Sequence, residues 1–393
     1  MKSNEEFIQG IYQKYHQRKG KGIKEIQENS YISFTKIAAC FIIVTLLASG
    51  TILGVRAYQK SLAKMQPVYT GTMDENAVWV GTFQLAWNEL MDIRMKGKKI
   101  EFADGNPDIV EQLNKRSFTK EMLSPESYYI KVEQAQPSLK QQMQQEIQDK
   151  FGTQSTVLDQ LNWNPIPSDS YLLYAMLKKE FTFPLPFDKV MYKSPFASSE
   201  KKVSYFGIIN SSEEELNDNV IVSFFTPKES TIPGSYHAQG KEFGVRLKTK
   251  EGEEVILYRT DNKTASFEEL YEEFLEKEKN YTGSRTFNES DELLIPYISI
   301  HADVSYKDLC GKEIKGTNGL YIINAIQNVS FHLNEKGGKV QSEAALQDIY
   351  LSISEDPRFF YFTDRFVIFM KEKEKEKPYF ALSIDNTDYL LDN

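Results

Sequence analysis

The sequence predicts an α+β domain of large, mostly antiparallel sheets with helices packed on them, preceded by a single membrane-spanning helix. Three observations lead there. From Tyr171 onward apolar residues recur at every second position in run after run. Ahead of that, two stretches carry apolar residues at three- and four-residue steps. Residues 37–55, IAACFIIVTLLASGTILGV, form 19 residues without a charge, long enough to cross a hydrocarbon core.

The uncharged run lies too far from the start, and is too long, for a secretory signal. The competing reading is a helix buried in a soluble core. Residues 1–36 hold seven Lys/Arg against four Glu, so the positive-inside rule places this basic tail in the cytoplasm and the bulk of the chain outside. Lys14, Arg18, Lys19, Lys21 and Lys24 either set that topology or touch anionic lipid or a cytoplasmic partner. Residues 56–75 read as a polar linker and 76–393 as an extracytoplasmic domain. The predicted location is therefore the membrane, single-pass.

Charge and composition narrow the classes further. The 393 residues are 40% hydrophobic and 13% aromatic, values of a folded domain, and their net charge is −9. Because the tail is basic, the remainder is more acidic still, and nucleic acid is excluded as a partner. Cys40 and Cys310 are the only cysteines, so neither a disulfide framework nor a cysteine metal site is available.

In chain order, a helix is predicted from about Ala77 to Met95, with Val80, Phe83, Trp87, Leu90 and Met91 on one face. A second runs from about Pro137 to Phe151, with Leu139, Met143 and Ile147 in line and Gly152 just past its end. Residues 97–130 are weakly patterned. YLLYAMLKKEFTF from Tyr171 reads as a strand buried on both faces at first. KVSYFGIIN, NVIVSFFTP and a hairpin, EFGVRLKTKEGEEVILY, follow. Ser266 opens a short helix through a capping box with Glu269. ELLIPYISIHADV and GLYIINAIQNV continue the strands, and KEKEKEK at 371–377 reads as a solvated connection.

Catalytic motifs are lacking. There is no HExxH, GxxxxGK[ST], GxSxG or strand-linked GxGxxG. The four histidines are scattered, and His301 with Asp303 reads as a structural pair. No cofactor or metal is implied, and an enzyme is not expected. Asn210, Asn262, Asn280, Asn288 and Asn328 head Asn-x-Ser/Thr sequons, which matter only where exported proteins are glycosylated.

The rest of the chain is organised around 328–370. Val329, Phe331 and Leu333 alternate with Ser330, His332 and Asn334, and Gly337–Gly338 free the backbone at a turn. Beyond it, Gly338, Val340, Ser342, Ala344 and Leu346 share one side, opposite Lys339, Gln341, Glu343 and Gln347. Small residues on one face suit a segment that slides between strands; an ordinary edge strand is the other reading.

Four blocks resemble the serpin family in order and separation. YLLYAMLKKEFTFPLPFD at 171–188 resembles its central strand and Pro-Phe-Asp turn, and FHLNEKGG at 331–338 its strand and hinge. FYFTDRFVIFMKE at 360–372 and PYFALSI at 378–384 resemble its last strands. The resemblance covers roughly 137–386 and implies a serpin-like fold with a reactive-loop-like segment at 337–357. In such proteins a protease cuts the loop, whose N-terminal piece then inserts into a sheet as an extra strand. Carried over residue by residue, the hinge comprises Glu335, Gly337, Gly338, Val340, Ser342 and Ala344, and the reactive bond is Leu351–Ser352. Leu351 implies an extracellular serine protease with an apolar primary pocket.

The sequence departs from that pattern at several points. Asp348 would bury a carboxylate on insertion. The alanine-rich run after the hinge is replaced by Val340-Gln341-Ser342-Glu343, and if extra residues precede Ala344-Ala345 the bond shifts toward Ser354–Glu355. No stretch matches the buried helix beneath the opening strands; LSPESYYI at 123–130 is its nearest echo. Two functions follow: a membrane-anchored suicide inhibitor, or a non-inhibitory binding or sensing module on the same scaffold that signals through the span.

Overall fold

The alternating runs become two main sheets because each strand has one apolar side to bury. The computed structural model describes residues 64–66, 68–71, 75–159, 161, 163, 169–209, 214–228, 238–338 and 357–392. The basic tail and the stretch 37–55 lie outside these residues. Among the described residues, no helix is long and apolar enough to cross a membrane.

The smaller sheet positions the site. Its strands are β2 (Tyr128–Gln134), β3 (Ser170–Leu177), β10 (Ile298–Ser305) and β11 (Tyr321–Leu333), in the order β10-β11-β3-β2. The larger sheet contains β1 (Ala77–Val80), β5 (Tyr205–Ile208), β6 (Val220–Pro227), β7 (Ala238–Leu247), β8 (Glu253–Arg259), β9 (Glu292–Pro296), β13 (Arg358–Tyr361), β14 (Phe366–Glu372) and β15 (Phe380–Ile384). It runs β1-β15-β14-β8-β7-β13-β9-β5, with β6 added on β7. Two short strands, β4 (Phe181–Thr182) and β12 (Gly337–Gly338), pair antiparallel with each other.

The three longest helices among the described residues are α1 (Thr82–Met95), α2 (Pro137–Phe151) and α3 (Phe267–Asn280). β3 lies between the first two. Tyr171 and Leu173 join Phe83, Trp87, Leu90 and Met91 of α1 in one core cluster. Leu172, Tyr174 and Met176, on the other face of β3, pack with Leu139, Met143 and Ile147 of α2. Burial on both faces explains why β3 reads as a continuous apolar run rather than an alternating one. At α3 the expected capping box is present, with Ser266 Oγ accepting from the Glu269 N–H at 3.2 Å.

Several expectations are corrected. The helix predicted from Ala77 begins only at Thr82. Ala77–Val80 is instead a strand paired antiparallel with Phe380–Ser383 of β15, so tertiary pairing overrides the helical spacing. α1 is buried from Thr82 through Asn88 and at Leu90 and Met91, while Asp92, Ile93 and Arg94 are exposed, and it packs against β2 and β3. Within the expected linker, Lys64–Gln66 pairs parallel with β1, and Val68 and Tyr69 are buried. The charged run 371–377 is not wholly solvated either. β14 extends to Glu372, and Lys371 and Glu372 are both buried.

A candidate strand-accepting seam

β3 and β11 run parallel, while β2–β3 and β10–β11 are antiparallel. The parallel register runs from Ser170–Tyr321 to Met176–Asn328, with a bulge between Ile322 and Asn324. There the two strands part. β11 continues to Leu333 against β10, whereas the chain after Leu177 turns away toward β4. Parallel ladders are slightly weaker per residue than antiparallel ones. A strand entering this seam antiparallel to both neighbours would make the whole sheet antiparallel.

One pair before the register ends, the seam rests on Gln327. Its inward-facing amide donates to the carbonyl of Val80 at 3.1 Å and to Thr82 Oγ1 at 3.0 Å, and its Oε1 accepts from the Tyr306 hydroxyl at 2.7 Å. Gln327 is fully buried, so these bonds are what make the polar group tolerable there. They fasten β11 to the start of α1.

The hinge is held against β4. Asn334 and Gly337 exchange both backbone bonds, at 3.0 and 3.2 Å, and Lys336 N–H donates to Asn334 Oδ1. Phe183 N–H and Phe187 N–H donate to the carbonyls of Lys336 and Glu335 at 2.9 and 2.8 Å. Gly337 has φ +134, and a Cβ there would lie 2.2 Å from the Phe181 carbonyl oxygen. Only glycine fits. The buried Glu335 carboxylate pairs with Lys189 Nζ at 3.3 Å. Burial and that carboxylate push the Tyr297 phenol up.

Arg358, at the start of β13, is held by a second set of contacts. Arg358 reaches Asp291 Oδ2 through Nη2 at 2.6 Å, its backbone N–H donates to Asp291 Oδ1 at 2.9 Å, and Nη1 donates to the Ser284 carbonyl at 2.8 Å. The Asp291 carboxylate is almost completely buried. Glu335, Gly337 and Gly338 thus lie together at one anchor. Val340, Ser342, Ala344, Leu351 and Ser352 lie outside the described residues.

Where β3 and β11 part, Lys179 turns inward. Its Nζ is 2.6 Å from Glu253 Oε1 on β8 and 2.6 Å from Glu372 Oε1 on β14. Tyr379 OH donates to Glu253 at 2.9 Å, and Ser124 donates to Glu372 from both N–H and Oγ. Burial pushes the Glu253 carboxyl above its usual range. Burial acts on Glu372 in the same sense, but bonds from Lys179 and Ser124 outweigh it and hold that carboxyl low. A cavity of about 20 Å³, room for a single water, lies beside the cluster among Leu177, Val329, Phe331, Met370, Tyr379 and Phe380.

The sequence reading missed Gln327 and the Lys179 cluster. Gln327 was visible as a polar residue at an inward position between Ala325 and Val329. Lys179, between Leu177 and Phe181, was the corresponding sign at the fork. Among the described residues, no group of three or more His, Cys, Asp or Glu could hold a metal ion.

One titrating group lies on the same sheet. His332 is half-buried, and burial, followed by the nearby His301, pulls its pKa below the ordinary 6.5. Below pH 6.5 the unfolded chain binds a proton before the folded one does, so this contribution to stability is lost as pH falls through that window. Glu253 acts oppositely: its raised pKa gives stability that is present at low pH and lost as pH rises through the raised value. His332→Gln is therefore expected to flatten the fall in melting temperature between about pH 6.5 and 5 and leave the alkaline side unchanged. Parallel melting curves for the two proteins across that range would contradict it.

No protein-family model matches this sequence, and none of the curated proteins does. Among solved structures the chain is similar to a highly specific serpin of the insect Tenebrio molitor. That likeness has 13% identity and a TM-score of 0.44, covering 79% of this chain and 91% of the other. It is similar to thyroxine-binding globulin in complex with thyroxine, with 12% identity, coverage of 79% and 92%, and a TM-score of 0.46. It is also similar to Tengpin, a thermophilic serpin in its native state, with 11% identity, coverage of 79% and 88%, and a TM-score of 0.46.

Proposed function

We propose that this chain is a serpin-like, membrane-anchored inhibitor that traps an extracellular serine protease through cleavage at Leu351–Ser352. The observation that carries the reading is the parallel β3–β11 seam, with a glycine hinge leaving the end of β11. A segment that turns back at Gly337 and enters the seam would run antiparallel to both neighbours and gain two new ladders of hydrogen bonds. Residues 37–55 would hold the domain at the cell surface with the basic tail inside.

The test is to mix the full chain, solubilised in detergent, with chymotrypsin, elastase and subtilisin and look for a denaturant-resistant covalent band. A band that weakens in Leu351→Ala and is replaced by simple cleavage in Ala344→Glu is the expected result. Cleavage without a band for all three proteases would favour the second reading, a non-inhibitory binding or sensing module. Asp348 is what favours that alternative, because an inserted carboxylate without a partner is expensive to bury.

A further inference from the structure

We propose that Lys179 is a latch on the seam, whose ion pairs must break before β3 can separate from β11. The inference deepens the strand-insertion reading and rests on it for what the opening accomplishes.

Position is the first argument. Lys179 follows β3 just where pairing with β11 ends at Met176–Asn328, so any opening that starts at the fork displaces it early. Its two partners belong to the other layer: Glu253 on β8 and Glu372 on β14. The ammonium therefore fastens the moving edge of the small sheet to the large one. Ser124, just before β2, holds Glu372 from the same half of the small sheet. Lys178 N–H ties β3 to that half through the Ser127 carbonyl at 2.9 Å. Lifting β2 and β3 away from β11 breaks both grips on Glu372 together.

Packing is the second argument. A cavity of about 20 Å³ borders Leu177, Lys179 and Val329 at the fork, and side chains that line a void lack dispersion partners on that side. The carboxylates are nearly buried, with side-chain exposures of 4% for Glu253 and 9% for Glu372. Two such carboxylates facing one lysine depend on it, because without it they would repel each other in a poorly solvated site.

Chemistry separates a latch from an ordinary structural ion pair by where the effect is felt. In the full chain, the triple variant Lys179→Met, Glu253→Gln, Glu372→Gln removes the grip without leaving an unpaired charge. Amide hydrogen exchange is expected to quicken about tenfold or more at 173–177 and 325–329, while α3 and β15 keep their wild-type rates. The single variant Lys179→Arg, which keeps the charge beside Glu253 and Glu372, should keep seam protection close to wild type. If the triple variant does not fold, Ser124→Ala supplies a milder version, with faster exchange confined to the same two segments. After loop cleavage, the variant should also reach its stabilised form faster than wild type. Wild-type exchange rates across the seam in a folded variant, or acceleration spread evenly through the domain, would overturn the latch. Cleaved wild-type protein that gains no thermal stability would instead overturn the insertion reading, and the exchange measurement would still decide the latch.

Discussion

Replacing Arg358 with alanine is expected to destabilise the domain by about 3 kcal/mol, the lower end of the range for breaking a buried ion pair from one side. Asp291 is the reason. Its carboxylate is almost wholly buried and loses the guanidinium 2.6 Å away. It still accepts from the backbone N–H groups of residues 288 and 358, which is why the upper end is not expected. The double variant Arg358→Ala, Asp291→Asn should recover part of the loss, because it removes the stranded charge. Urea unfolding of the two variants and wild type measures this. A loss below about 1 kcal/mol in the single variant would mean that the pair behaves as an exposed one and does not anchor β13.

The second large effect is expected at the opposite anchor. Gly337→Ala places a Cβ 2.2 Å from the Phe181 carbonyl oxygen at a backbone φ of +134. Both the strain and the clash are with backbone, which cannot move aside without giving up the β4–β12 pairing. Together they should cost about 3 kcal/mol or more. Gly338→Ala is the control. Its Cβ would meet the Phe181 ring at 2.5 Å, without a positive φ. A side chain can rotate away, so about 1–2 kcal/mol is expected there. Equal losses at the two positions would show that the hinge is not seated against β4 in the way described.

Gly337 and Arg358 flank the segment that the sequence resemblance implies to be a reactive loop, and they differ in how far the sequence disclosed them. Gly337 and Gly338 were legible as a break after an alternating strand, and the expected turn is present at Glu335–Lys336, where Asn334 and Gly337 exchange backbone bonds, before the glycines pair with Phe181–Thr182. Arg358 and Asp291 carried no sign. They are 67 residues apart, and nothing in either neighbourhood marks the other. The Lys179 cluster was hidden for the same reason: Glu253 and Glu372 lie in separate strands of another sheet, and Glu372 opens what looks like a solvated charge run.

The amino-acid order by itself determined the α+β class, the helix at 137–151, the capped start of a helix at Ser266, the strands with their inward faces, and the glycine break after β11. Those features follow from local periodicity, capping and backbone freedom, which act within a few residues of each other. Only the tertiary structure decided that Ala77–Val80 is a strand, that α1 packs against β2 and β3, and that β3 and β11 lie side by side in parallel. Each depends on partners hundreds of positions away or on the opposite layer, where pairing and burial outweigh local propensity.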